Sequence, residues 1–220
     1  MHLPAEEPLF DDLQPWDDAT LVRFVHERAG TGRPLVLVDG RSGGGKTTLA
    51  ARLATALGAD IVCTDDVAWY ESFFGWDDLL ADHVITPWRA GDDVRYRPQA
   101  WDERNREGAI TCSGARPLVI EGVGSARPTL RDLADVVVWV QSDEREARRR
   151  GIDRDVVVYH RSPQQAEDFW EEWQSHEDPF QAESRPWEAA DLVVRGTSAQ
   201  APDGTPSRSD LDVIWVKSLD

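Results

Sequence analysis

The sequence predicts an α/β protein, a parallel sheet layered with helices, from three observations. Short apolar, β-branched runs recur along the chain, "RPLVLVD" (33–39), "PLVIE" (117–121), "VVVWV" (136–140) and "DLVV" (191–194). Each suits a strand buried on both faces. The first run leads through a glycine-rich turn into "KTTLAARLATAL", where Leu49, Leu53 and Leu57 repeat at helical spacing. Finally, 220 residues suffice for one such domain, with or without a small cap, and do not require two.

Composition narrows the partners. Lys and Arg number 24 against 41 Asp and Glu, a formal net charge of −17. Such a surface repels phosphate backbones, and no basic arm or basic–aromatic run offsets it, so no nucleic-acid partner is expected. No apolar run exceeds about ten residues, which leaves no membrane span, and the start "MHLPAEEPLFDD" is acidic where a secretory signal is basic. The expectation is a soluble, cytoplasmic monomer or homodimer. Cys63 and Cys112 sit among apolar or small residues without CxxC spacing, as core thiols do.

In chain order, "DDATLVRFVHERAG" (17–30) reads as a helix packed on the sheet, with His26 at the surface. The strand at 33–39 then enters "GRSGGGKTT", where Gly40, Gly45, Lys46 and Thr47 satisfy G-x-x-x-x-G-K-[ST]. Glycines let successive N–H groups turn inward, and the helix beginning near Lys46 adds its positive end, a cradle for nucleotide phosphates. The ATP-binding candidates are Gly40, Arg41, Ser42, Gly43, Gly44, Gly45, Lys46, Thr47 and Thr48. Only two lysines occur in the chain. A compact ammonium reaches β- and γ-phosphate oxygens inside a tight loop where a guanidinium fork is too wide, so Lys46 is read as catalytic. Thr47 is placed on Mg²⁺.

Later residues separate the classes that use such a loop. No N-K-x-D-type guanine motif is present, since the other lysine is Lys217, and "DVVVWVQSDE" reaches its acids too late for a motor-like ATPase. A kinase needs a carboxylate to orient the attacking hydroxyl and arginines to cover the transferred charge. "ADIVCTDD" supplies the first: a strand over Ile61–Cys63 runs into Asp65, the candidate base, at the sheet's carboxyl end. The competing role for Asp65 is a helix N-cap before a segment starting near Val67, which Asp66 fits better. Glu121 ends the third strand, where it serves either the metal or a salt bridge. "SDEREARRRGIDRD" follows the fourth strand, and Arg150 and Arg154 share one face if it is helical.

Together, "VDGRSGGGKTTLA", "TDD", "VIEGVG", "ARRRGIDRD" and "ADLVVRGT" resemble the uridine kinase-like P-loop kinases, of the nucleoside and nucleotide kinase group, over roughly residues 33–197. The resemblance implies a three-layer α/β/α fold with five parallel strands, helices on both faces, and Glu121's strand beside the one feeding the phosphate loop. It also implies ATP and Mg²⁺, with Asp65 accepting the hydroxyl proton, Glu121 near the metal, and Arg150 and Arg154 on a lid at about 143–160.

The segment from about 66 to 116 is longer than a plain crossover needs, and is expected to bind the acceptor. Asp65, Tyr70, Tyr96, Arg97 and Trp101 are the substrate-binding candidates, the last three from their match to the family's substrate loop, and "LLADHVITPW" reads as a buried helix. "YRPQAWD" lacks the histidine of the well-studied uridine kinases, while Arg89, Arg95, Arg97, Arg104 and Arg106 offer the cations a monophosphate kinase needs. After the lid, one long acidic helix carries Trp170, Trp173 and Phe180 as its buried stripe, with Trp187 near its end. His176 and Glu177 on it lack metal-ligand spacing. The strand "DLVVRGT" brings Gly196 and Thr197 to the family's adenine-pocket position. Residues 198–209 read as linker and "DLDVIWV" as a possible edge strand, so residues 1–197 form the kinase domain. The sequence thus reads as an ATP-dependent kinase acting on a hydroxyl of a nucleoside-like or other small metabolite. A nucleoside monophosphate kinase and a regulatory ATPase acting through a partner are the alternatives.

Overall fold

The computed structural model describes residues 1–4, 6–196 and 214–219. The chain opens with β1 (Gln14–Trp16) and α1 (Asp18–Ala29), then runs through β2 (Leu35–Gly40), α2 (Lys46–Leu57), β3 (Asp60–Cys63) and α3 (Thr64–Ala68). The insert holds α4 (Asp77–Leu80), a wider helical turn (Ala81–Ile85), α5 (Thr86–Ala90), β4 (Val94–Tyr96), α6 (Gln99–Glu103) and β5 (Ile110–Cys112). There follow β6 (Leu118–Glu121), α7 (Pro128–Arg131), β7 (Val136–Gln141), α8 (Glu144–Val157), α9 (Pro163–Ser184), β8 (Leu192–Arg195) and β9 (Ile214–Ser218).

The main sheet has the order β1-β9-β8-β7-β2-β6-β3. Its parallel part is the expected five strands, with β6 beside β2 in the register Leu37↔Ile120 and Val38↔Glu121. Two strands are added. β9 returns antiparallel to β8, and β1 pairs antiparallel with β9, so "DLDVIWV" contributes an inner strand rather than an edge. Residues 197–213, which include Thr197, the expected linker and the start of that stretch, lie outside the described residues.

Alternation along the strands builds two cores. Leu35, Leu37, Leu118, Ile120 and Trp139 pack on the insert's Trp76, Leu80, Val84, Trp88 and Trp101. Val36, Val38, Val119, Val138 and Val140 pack on Leu21 and Val25 of α1 and Leu49 and Leu53 of α2. A fully buried Val or Leu contributes about 1.5–3 kcal/mol, so two covered faces explain why these strands read as unbroken apolar runs.

The helices follow local rules. Asp17 caps α1 by accepting from Thr20 N at 2.8 Å, and Ser162 and Gln165 form a capping box at the start of α9. The expected helix over "LLADHVITPW" forms, burying Leu80, Val84, Ile85 and Trp88. In α9, Trp170 is buried, Trp173 and Phe180 are half-buried, and Trp187 is fully buried just beyond. Both cysteines are free, with Cys112 in the core and Cys63 half-buried. Burial, with Asp65 and Glu121 close by, pushes the Cys63 thiol well up. Among the described residues no helix is long and apolar enough to cross a membrane.

Candidate active site

The phosphate loop joins β2 to α2, and its backbone shape admits only glycine at two contacts. Gly43 has φ +71°, and a Cβ there would lie 2.1 Å from Ala147 O of α8; Gly45 has φ +103°, and its Cβ would lie 2.7 Å from Gly196 O. The loop is therefore held between the arginine-bearing helix and the turn after β8. No side chain caps α2, so its first N–H groups remain for an anion. Lys46 is buried, and its Nζ donates to Arg41 O at 2.9 Å.

Ser42, Gly43, Gly45, Lys46, Thr47 and Thr48 line a cavity of about 240 Å³ with Asp65, Glu121, Arg150 and Arg154. The expected phosphate, base, metal and lid residues thus meet in one place. Gly40, Gly44 and Arg41 stand behind the lining; the Arg41 guanidinium is buried and turned onto Asp178 at 2.6 Å, away from the expected nucleotide contact. Thr47 Oγ1 donates to Glu121 Oε1 at 3.1 Å. These hard oxygen donors suit Mg²⁺, which keeps several waters and takes phosphate oxygens as further ligands. Among the described residues no cluster of three His, Cys, Asp or Glu could hold an ion unaided.

α3 begins at Thr64 with Cys63 as its cap residue and no side-chain cap bond, so neither Asp65 nor Asp66 is an N-cap. Asp66 is ion-paired with Arg106, and its carbonyl accepts from Trp101 Nε1 at 2.9 Å, which ties it to the insert. Asp65 is exposed into the cavity. On α8, Arg150 Nε donates to Glu146 at 2.8 Å and Arg154 reaches Asp155 at 3.0 Å; the neighbouring Arg149 is spent on Glu146 and Asp153 at the surface.

A second cavity of about 600 Å³ shares Ser42, Asp65, Val123 and Arg154 with the first. Its walls are Trp69, Tyr70, Phe73 and Trp76 from the insert and Tyr159, Phe169, Trp170 and Trp173 from the α8–α9 side, with Glu71, Asp155 and Arg161. Of the insert candidates only Tyr70 lines it. Tyr96 stacks on His83 with ring centroids 4.5 Å apart, Arg97 binds Asp102 at 2.9 Å and the Gly108 and Arg106 carbonyls, and Trp101 is buried under Arg106. Arg97 braces the β4–α6–β5 hairpin from within, while Tyr96 packs it on the Ala81–Ile85 turn and Trp101 ties it to α3. Gly196, expected at an adenine pocket, packs on the phosphate loop.

Sequence reasoning missed the groups that hold the loop from behind. Asp39, fully buried, accepts from Gly40, Gly124 and Ala126 N–H at 2.7–3.0 Å, joining β2 to the turn after β6. Burial pushes its carboxyl up, opposed by those N–H groups and by Lys46. Glu177, also buried, accepts from Ser42 N at 2.8 Å; burial raises it too, opposed by Lys46, Ser42 N–H and Arg41. Glu7 sits beneath β7, accepting from Trp139 and Gln141 at 2.8 and 2.9 Å beside Arg41. The only sequence signal was the i, i+4 spacing of Trp173, Glu177 and Gln181.

No family model matches the chain. A tRNA dimethylallyltransferase of Bradyrhizobium sp. (strain ORS 278) is 32% identical over 136 residues, which are 56% of this chain and 42% of that protein, so the chain spans less than half the length of this curated relative. Among solved structures, a "putative fructose transport system kinase" from Silicibacter sp. TM1040 aligns over 80% of this chain and 95% of its own with a TM-score of 0.55 at 22% identity. A "possible uridine kinase" from Bacillus stearothermophilus aligns over 80% and 96% with a TM-score of 0.48, also at 22% identity. The chain has the fold of P-loop kinases, as its motifs led one to expect.

Proposed function

We propose that this protein is an ATP- and Mg²⁺-dependent small-molecule kinase that moves the γ-phosphoryl group to a hydroxyl of an unphosphorylated, ring-bearing acceptor of nucleoside-like size. One observation carries the reading: Asp65 and Arg154 stand where a cavity lined by the phosphate loop opens into a larger aromatic one. Lys46 and the α2 N-terminus would hold the phosphates, and Thr47 and Glu121 would hold the ion, which would supply offsetting positive charge for phosphoryl transfer. Asp65 orients the acceptor hydroxyl and takes its proton. Arg150 and Arg154 cover the charge that spreads over the moving group.

The acceptor class follows from the second cavity. Aromatic walls offer stacking for a flat ring. None of Arg89, Arg95, Arg97, Arg104 or Arg106 lines either cavity: Arg89 is paired with Asp135, Arg97 with Asp102 and Arg106 with Asp66, and Arg104 lies over Tyr70. Of the arginines that do line the acceptor cavity, Arg154 is the one assigned to the moving group and Arg161 pairs with the buried Asp155. This favours an acceptor without a phosphate over a monophosphate. A screen of ADP formation against nucleosides, nucleoside monophosphates, sugars and aminoglycosides tests the reading. Stimulation by an uncharged or cationic ring compound is expected; stimulation by monophosphates alone would support the monophosphate-kinase alternative, and acceptor-independent hydrolysis the regulatory one.

The lid arginines act on charge that develops during transfer, so they separate turnover from binding. Arg154→Ala is expected to lower kcat by about 10²–10³-fold while nucleotide affinity changes far less. Stopped-assay kinetics with nucleotide titration checks this, and a fall in affinity with unchanged kcat would reduce Arg154 to a binding residue.

A further inference from the structure

Glu177 is only 1% exposed, on a helix whose other acids are exposed apart from the half-buried Asp178 beside it. Its two oxygens collect three N–H donors: Ser42 N at 2.8 Å and Gln181 Nε2 at 3.2 Å on Oε1, and Trp173 Nε1 at 3.0 Å on Oε2. An ionised carboxylate is acceptor-only and serves all three. Glutamine has one accepting oxygen, and its amide would meet one of the donors head-on.

The partners make this more than a satisfied buried acid. Ser42 lines both cavities, and Trp173 is a wall of the aromatic one. A single buried carboxylate therefore bonds a backbone N–H of the phosphate loop with one oxygen and the acceptor wall with the other. Arg41, next in the loop, is fixed to Asp178, the next residue of α9, so the helix grips the loop at two successive positions.

We propose that Glu177 is a positioning residue that couples the acceptor wall to the phosphate loop, so that the setting of the Trp173 indole is felt in nucleotide affinity. Coupling between two sites is reciprocal in binding free energy, so an acceptor that moves Trp173 tightens or loosens nucleotide by the factor that nucleotide changes acceptor binding. The coupling rests on the proposed nucleotide and acceptor sites, but not on phosphoryl transfer.

The test is a double-mutant cycle read by Mg·ADP affinity, for which neither acceptor nor turnover is needed. Glu177→Gln is expected to weaken Mg·ADP binding by about tenfold, because an amide oxygen kept on Ser42 N and Gln181 turns the amide NH₂ against the Trp173 indole N–H, and that repulsion displaces the side chain from the loop. In a Trp173→Phe background the indole N–H is gone, the amide has room to turn, and Glu177→Gln is expected to weaken binding by less than about threefold. If Glu177→Gln alone misfolds, a folded double variant with near-parental affinity supports the coupling equally. Equal losses in both backgrounds, no loss in either, or misfolding of both variants would overturn it. A parent protein that does not bind Mg·ADP would instead sink the nucleotide-binding reading itself, and a parent that binds it but phosphorylates no acceptor leaves the cycle intact.

Discussion

Lys46→Ala is expected to remove about 2.7–4 kcal/mol of transition-state stabilisation, a 10²–10³-fold loss in kcat, because the ammonium is the one compact charge inside the phosphate loop. A second consequence follows from its burial. Lys46 offsets the buried carboxylates of Asp39 and Glu177, both already pushed up by burial. Without the lysine each rises further, so at neutral pH the folded variant either carries less compensated charge or must take up protons, and it melts below the parent. A carboxyl raised in the folded state favours folding when protonated and opposes it when ionised. The melting deficit should therefore shrink as the pH falls from neutral toward the ordinary carboxylate range, roughly pH 4. Thermal melts of both proteins across that range check the sign; a deficit that grows on acidification would contradict this account of the loop.

Asp65→Asn is expected to fold with a nearly parental melting temperature, bind ATP through the untouched loop, and lose acceptor phosphorylation by about 10²–10⁴-fold. The helix N-cap role, once its competitor, is removed by the start of α3 at Thr64, so only a first-turn dipole contribution of about 0.3–1 kcal/mol is at stake structurally. Asp66→Asn is the control. It breaks the pairing with Arg106, a partly exposed bridge contributing about 0–1 kcal/mol, and should leave transfer within a few-fold of the parent. Acceptor-dependent ADP formation and melting temperature of the two variants decide between the residues, and a fully active Asp65→Asn would remove Asp65 from the mechanism.

What was legible in the sequence was local or repetitive. The phosphate loop is a run of adjacent residues, and β2, β6, β7 and β8 announce themselves because both faces are covered, whereas the half-exposed edge strand β3 is only a short run ahead of Asp65. β1 is three residues long and carries no periodic signal, and β9 finds its place by pairing across the sheet, which spacing along the chain does not encode. The aromatic cavity wall was hidden for a similar reason. Trp69 and Phe73 lie in the insert and Trp170 and Trp173 on α9, about a hundred positions on, and an aromatic at i, i+4 spacing looks the same whether it faces core or ligand. Tyr96, Arg97 and Trp101 matched a substrate-loop pattern but are consumed in packing within the insert and on α3. Glu177 was lost among the solvated acids of α9, since nothing in the sequence distinguishes the one that turns inward.

The most direct test of the central claim follows the phosphorus atom. With γ-labelled ATP, Mg²⁺ and the acceptor found by the screen, the account predicts label in the acceptor in one-to-one ratio with ADP, and loss of that transfer in Asp65→Asn while ATP affinity is retained. Label released only as inorganic phosphate, at a rate no acceptor changes, would contradict it.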